Sequence, residues 1–178
     1  VLQTYGASAA TRVTLSTWSD VTKSWVPLVP PLKPHGFSAS GVSVVLPKTA
    51  RPYSYTAYSV RVNSATNKGG GDTSSSEVTV NTPDVWWALG DAGDSATNAG
   101  LGWVRVFGRS IVLGDGDSQL QLRDSAGKST TLSMEPGFPH NGPHCARFKI
   151  PAALAPGLYD ISVSNALAPG YFAPMLPF

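Results

Sequence analysis

Fifteen prolines and eighteen glycines punctuate 178 residues, so few windows of eleven residues could hold an amphipathic helix. Proline lacks the amide proton a helix interior needs, and glycine loses the most backbone entropy when ordered there. Between these breaks lie short runs of β-branched and aromatic residues alternating with polar ones: Arg12–Thr17, Gly41–Leu46, Tyr53–Asn63, Glu77–Val80, Trp103–Phe107, Gln119–Arg123, Ser129–Met134, Ala146–Ile150 and Leu158–Ser164. Many short strands between turn signals predict an all-β chain built of antiparallel sandwiches. A period of two puts Tyr58, Val60 and Val62 inward with Ser59 and Arg61 outward. Tyr159, Ile161 and Val163 read the same way. Ala155-Pro156-Gly157 suits a type II turn, and Asp124-Ser125-Ala126-Gly127-Lys128 a hairpin turn.

The chain also echoes itself. Leu2-Gln3-Thr4-Tyr5-Gly6 is answered by Val104-Arg105-Val106-Phe107-Gly108, Val13-Thr14-Leu15 by Leu120-Gln121-Leu122, and Lys23-Ser24 by Lys128-Ser129. Val42-Ser43-Val44-Val45-Leu46-Pro47 returns as Ala146-Arg147-Phe148-Lys149-Ile150-Pro151, and Tyr58–Val62 as Tyr159–Val163. The offsets stay between 101 (Tyr58 to Tyr159) and 107 (Val13 to Leu120) in unbroken order. Such order predicts a tandem repeat with loops of unequal length. Two immunoglobulin-like sandwiches are expected, over 1–83 and 84–168, followed by an extended connector over 169–178. Ser64–Ser76, with its three consecutive glycines, reads as a flexible hairpin tip.

Charged residues make up 13% of the chain, against the usual ~25%, and the net charge is +2. No Lys/Arg stripe is present to neutralise phosphates, which argues against nucleic acid as a partner. No apolar run reaches membrane-span length. The lone Cys145 forbids an intrachain disulfide. Polarity carried by Ser, Thr, Asn and Gly suits a secreted or cell-surface protein. The chain begins Val-Leu-Gln in what reads as a strand, as a mature or excised piece would.

Trp103–Ser110, Lys149-Ile150-Pro151 and Leu154-Ala155-Pro156-Gly157-Leu158-Tyr159-Asp160-Ile161-Ser162-Val163 together resemble the immunoglobulin-like IPT/TIG domain, whose closing segment has the form P-x-x-x-x-P-G-x-Y-x-V-x-V. The first copy matches less closely, with Arg51-Pro52-Tyr53 in place of the Pro-Gly turn. Pro83-Asp84-Val85-Trp86-Trp87-Ala88-Leu89-Gly90-Asp91 is similar to the junction that precedes such domains in secreted proteins continuing into a pectate-lyase-like parallel β-helix. The resemblance implies a non-catalytic spacer or attachment module within a larger extracellular assembly. The alternatives are an accessory, carbohydrate-contacting segment of a polysaccharide-active enzyme, or a subunit of an extracellular filament or coat.

Candidate chemistry is sparse. His140, His144 and Cys145 are good transition-metal donors, but Gly142-Pro143 breaks their spacing and no fourth ligand is evident. Asp115 and Asp117, with Asp91 and Asp94, offer hard oxygens, making calcium the one cofactor worth considering. Neither set is complete, and no metal site is assigned. No Gly-x-Ser-x-Gly elbow occurs, and no catalytic residue is assigned. Trp18 and Trp25 lie in a segment with little alternation and are expected to be exposed, available to stack on a sugar or partner. Pro83, Trp86 and Trp87 are expected at an interdomain joint, with the two indoles on opposite sides of an extended chain and one of them buried. Trp103, opening a strand, is expected in the core.

Overall fold

The computed structural model describes residues 2–3, 11–28, 30–38, 41–45, 57–64, 73–74, 77–98, 100–172 and 176–177. Most of the expected hairpin tip at Ser64–Ser76 lies outside these residues, as do Arg51-Pro52-Tyr53. The chain is all-β, with no helix among the described residues and therefore none long and apolar enough to cross a membrane. It divides into two compact units, Val1–Val80 and Asn81–Phe178.

The first unit contains β1 (Leu2–Gln3), β2 (Arg12–Ser19), β3 (Ser24–Pro27), β4 (Gly36–Ser38), β5 (Gly41–Ser43), β6 (Tyr58–Ser64), β7 (Thr73–Ser74) and β8 (Val78–Val80). One sheet has the order β3-β2-β6, with β7 and β8 both pairing β6, and the other has the order β1-β5-β4. Val13, Leu15, Tyr58, Val60 and Val62 come from the first sheet and Val42 from the second, and all six share one core cluster. Tyr58 faces that core, as the alternation requires. Ser59, expected outward, is instead buried. Its strand is flanked by both β2 and β8, and its hydroxyl donates to Glu77, which also pairs with Arg61 at 3.1 Å.

The second unit contains β9 (Asp84–Gly90), β10 (Gly93–Asp94), β11 (Trp103–Arg109), β12 (Gln119–Asp124), β13 (Ser129–Ser133), β14 (Cys145–Lys149), β15 (Tyr159–Ser164) and β16 (Leu176–Pro177). Its sheets run β10-β9-β11-β14 and β13-β12-β15-β16, and every pairing is antiparallel. Alternation explains the core. Val104, Val106, Ala146 and Phe148 face inward from one sheet, and Leu120, Leu122, Ile161 and Val163 from the other, all within one cluster. Fully burying a side chain such as Phe148 contributes about 1.5–3 kcal/mol. Ser162 and Ser164, expected outward, are buried. They sit on β15, an inner strand hydrogen-bonded to β12 on one edge and to β16 on the other.

The sequence echo corresponds to strand pairing. Val13 faces Val62 and Leu15 faces Val60, and in the second unit Leu120 faces Val163 and Leu122 faces Ile161. The echoed residues therefore take the same register. The other echoed pair is offset: Leu2 faces Val42, whereas Val104 faces Phe148 and Val106 faces Ala146. That slip is two residues, which preserves the facing of every side chain.

Six strands escape sequence reading: β7, β10 and β16, of two residues each, and β3, β4 and β9. The last forms from the segment expected to be a junction, and it pairs along β11 from Gly90 opposite Val104 to Asp84 opposite Arg109. A bulge falls between Phe107 and Gly108, where Trp86 is the unmatched residue. Trp86 and Trp87 are consequently both exposed (61% and 50%), not on opposite sides, while Val85 and Ala88 on either side pack on the core. Gly108 permits the bulge, since a Cβ there would stand 2.0 Å from the Asp84 carbonyl oxygen.

Candidate functional site

Along β11 the small aliphatic residues go inward, leaving Trp103, Arg105 and Phe107 as an outward row. Register sets their neighbours. Phe107 stands opposite Trp87 on β9 and Cys145 on β14, and Arg105 opposite Leu89 and Arg147. The Trp87 and Phe107 rings lie 4.4 Å apart at 37°. Trp103, expected in the core, is half-buried on this outer face, and the Arg105 guanidinium lies 5.3 Å from its ring centroid.

The loop after β13 completes the face. Glu135 N–H donates to the Arg147 carbonyl at 2.7 Å, and Asn141 Oδ1 accepts from Arg147 N–H at 3.0 Å. Asn141 Nδ2 returns a bond to the Glu135 carbonyl at 2.8 Å, and Gly137 supplies the positive φ (73°) of the turn. So anchored, the loop lays Phe138 under two guanidiniums, with Arg147 at 4.0 Å and Arg105 at 4.7 Å from the ring centroid. Cation–π attraction holds both heads in place.

The two arginines differ in what neutralises them. Arg147 Nε donates to Glu135 Oε2 at 2.5 Å, and Lys149 Nζ lies 3.3 Å from the other carboxylate oxygen. The bond from Arg147 is the main reason the Glu135 carboxyl is held below its usual pKa, against opposing desolvation. Arg105 has no such carboxylate among the described residues, and its Nε is buried without an acceptor. Arg105 and Arg147 stand directly opposite across the ladder, where like charges repel. Burial raises the Cys145 thiol pKa, with nearby Arg105 pulling the other way, so this thiol is a poor nucleophile.

The other predicted site residues are dispersed. Trp18 and Trp25 face each other across β2 and β3, with edge-to-face rings 5.3 Å apart, and both are half-buried instead of exposed. Pro83 is buried in the second unit, and Trp86 Nε1 donates to Asp84 Oδ2 at 3.1 Å. His144 Nδ1 is 3.2 Å from the Gly108 carbonyl oxygen, and the exposed His140 ring meets Phe138 edge-on at 5.3 Å. Asp115 and Asp117 sit exposed in a turn. Among the described residues no three His, Cys, Asp or Glu side chains gather as metal ligands. The Asp91 carboxylate is occupied by its own loop. It accepts from Thr97 Oγ1 at 2.6 Å, Asn98 Nδ2 at 2.8 Å, Asn98 N–H at 3.1 Å and Trp103 N–H at 3.3 Å, and these bonds, led by Thr97, hold its pKa far below the ordinary range.

Sequence reading passed over Arg105, Phe107, Phe138 and Arg147. The signal was present in Trp103-Val104-Arg105-Val106-Phe107, where the bulky and cationic residues share one parity and the valines the other. Comparison of the chain with family models, curated proteins and solved structures found no match.

Proposed function

We propose that the chain is a non-catalytic attachment module of a secreted or cell-surface protein, built of immunoglobulin-like β-sandwiches of IPT/TIG type. The outer face of β9, β11 and β14 carries the functional part of this reading. Its half-exposed indoles and stacked guanidiniums are groups suited to holding a partner, since Trp and Arg dominate recognition surfaces. The sandwich reading is supported by the single core that draws on both sheets of each unit. A second support is Tyr159, whose hydroxyl donates to the Ala155 carbonyl at 2.7 Å from the start of β15. That is the backbone tie of a tyrosine corner, a hallmark of immunoglobulin-like domains. The low charge content fits an extracellular setting, with other domains or chains of a larger assembly as partners.

The test is incubation of the chain with a panel of soluble neutral and acidic polysaccharides, following both reducing ends and sedimentation. An attachment module leaves every polymer intact. Release of reducing ends or of unsaturated products would overturn the reading in favour of an enzyme. Concentration-dependent growth into long polymers would favour a filament subunit instead.

A further inference from the structure

We infer that the face around Arg105 is a binding site for a carboxylate-bearing sugar, a hexuronate unit within an acidic polysaccharide. This rests on the attachment reading and names the ligand. The structure contains its own precedent for the anion. One of two cross-strand guanidiniums stacked on Phe138 already holds a carboxylate, that of Glu135 on Arg147. The other, Arg105, is stacked on the same ring with its Nε buried and no acceptor among the described residues. A planar carboxylate matches the fork of a guanidinium, and one set against the Arg105 head offsets its repulsion with Arg147.

The body of the ligand follows from what flanks that position. Trp103 and Phe107 stand two residues either side of Arg105 on the same face, and Trp87 packs on Phe107 and is half exposed. Flat apolar rings on both sides of a charged head suit a chain of rings that are apolar on their faces and anionic at their edges. An acidic peptide fits less well. Extended peptides commonly bind by adding to a sheet edge, and β11 is already hydrogen-bonded along both edges, to β9 and β14. A glycan lying across the face needs no backbone pairing.

Affinity electrophoresis of the whole chain through gels containing polyglucuronate tests this. A β-1,4-glucan differing only in lacking the C6 carboxylate, polyglutamate, and dextran sulfate serve as the other arms. Polyglucuronate is expected to retard the chain most. Arg105→Gln should weaken that retardation about tenfold, as loss of one charge-assisted contact would. Arg105→Lys should recover only part of it, since lysine keeps the charge without the fork. Trp103→Ala and Phe107→Ala should weaken binding as well. Unchanged thermal melting of Arg105→Lys serves as the folding control. Equal retardation by the neutral glucan would overturn the carboxylate assignment. Equal retardation by polyglutamate would overturn the sugar, and preference for dextran sulfate would overturn the uronate. Failure to bind polyglucuronate, with every polymer left intact, would sink this inference while leaving the attachment reading standing.

Discussion

Arg105 and Arg147 face each other across β11 and β14, and both guanidiniums lie over the ring of Phe138. The arrangement sets two attractions against one repulsion. Each cation–π contact contributes about 0.5–1 kcal/mol where partly exposed. Phe138→Leu keeps much of the apolar bulk but removes the ring's negative face. The substitution should therefore cost about 1–2 kcal/mol in urea unfolding, and the loss should shrink when Arg105 is already glutamine. An unchanged midpoint would show that Phe138 serves only as an apolar cover.

Acid should destabilise the second unit through Asp91 and Glu135. Both carboxyls have folded-state pKa values below their ordinary ones, through bonds from Thr97 and Asn98 to Asp91 and from Arg147 to Glu135. A depressed carboxyl adds stability above its unfolded pKa and loses it as pH falls through the folded value. The loss should begin below about pH 4–5, where unfolded carboxyls take up protons. Asp91→Asn and Glu135→Gln should each flatten the acid limb of the stability curve. A limb as steep as that of the parent chain would assign acid sensitivity to other groups.

The Asp91 loop also depends on close backbone approach. A Cβ at Gly90 would stand 1.7 Å from the Ala96 carbonyl oxygen, and one at Gly102 would stand 2.3 Å from that of Asn98. Backbone atoms cannot step aside as a side-chain tip can. Gly90→Ala should cost about 1–3 kcal/mol, the usual range for overpacking. Amide exchange should quicken in 91–102 before it does in β12 or β15. Parent-like exchange there would show that the loop accommodates the methyl group.

The legible part of this fold was its alternation, and the illegible part was its register. Val13-Thr14-Leu15 and Leu120-Gln121-Leu122 declare their inward faces from local order alone, and the structure pairs them alike with β6 and β15. β9 was passed over because Trp86-Trp87 breaks the period of two. The cause is a bulge opposite Gly108, twenty-two residues further on in the sequence. The outer face around Arg105 needs Arg147 opposite and Phe138 beneath, brought in by a strand and a loop remote in sequence. The wrong placement of Trp103 has a different origin. Trp103 opens its strand and is expected in the core, although Val104 and Val106 hold the inward parity.

Trp18 and Trp25 offer a control for the proposed site. Their edge-to-face contact on β2 and β3 contributes about 0.5–1.5 kcal/mol beyond area burial. Trp25→Ala should lower the stability of the first unit by at least that amount and leave retention on polyglucuronate unchanged. Lost retention in a folded Trp25→Ala chain would move the sugar contact to the first unit.

Asn165 is a buried polar position in the second unit. Its side chain is buried, with Nδ2 donating to the Ser110 carbonyl at 2.8 Å and the Asn81 carbonyl at 2.9 Å. Both recipients hold positive φ angles (58° and 62°), so the amide stitches together two left-handed turns that glycine would otherwise occupy. Its Oδ1 accepts from Leu167 N–H at 3.1 Å, which uses the amide in both senses. Asn165→Ala should cost about 1–3 kcal/mol by removing the donor to the buried Ser110 carbonyl. Asn165→Asp should cost more, despite near-identical shape, because it turns a carboxylate oxygen towards those two carbonyls. Its deficit should narrow as the carboxyl protonates in acid, the opposite trend to that of Asp91 and Glu135. Equal stability of the alanine and aspartate variants at neutral pH would show that the pocket opens to water and that the donor is dispensable.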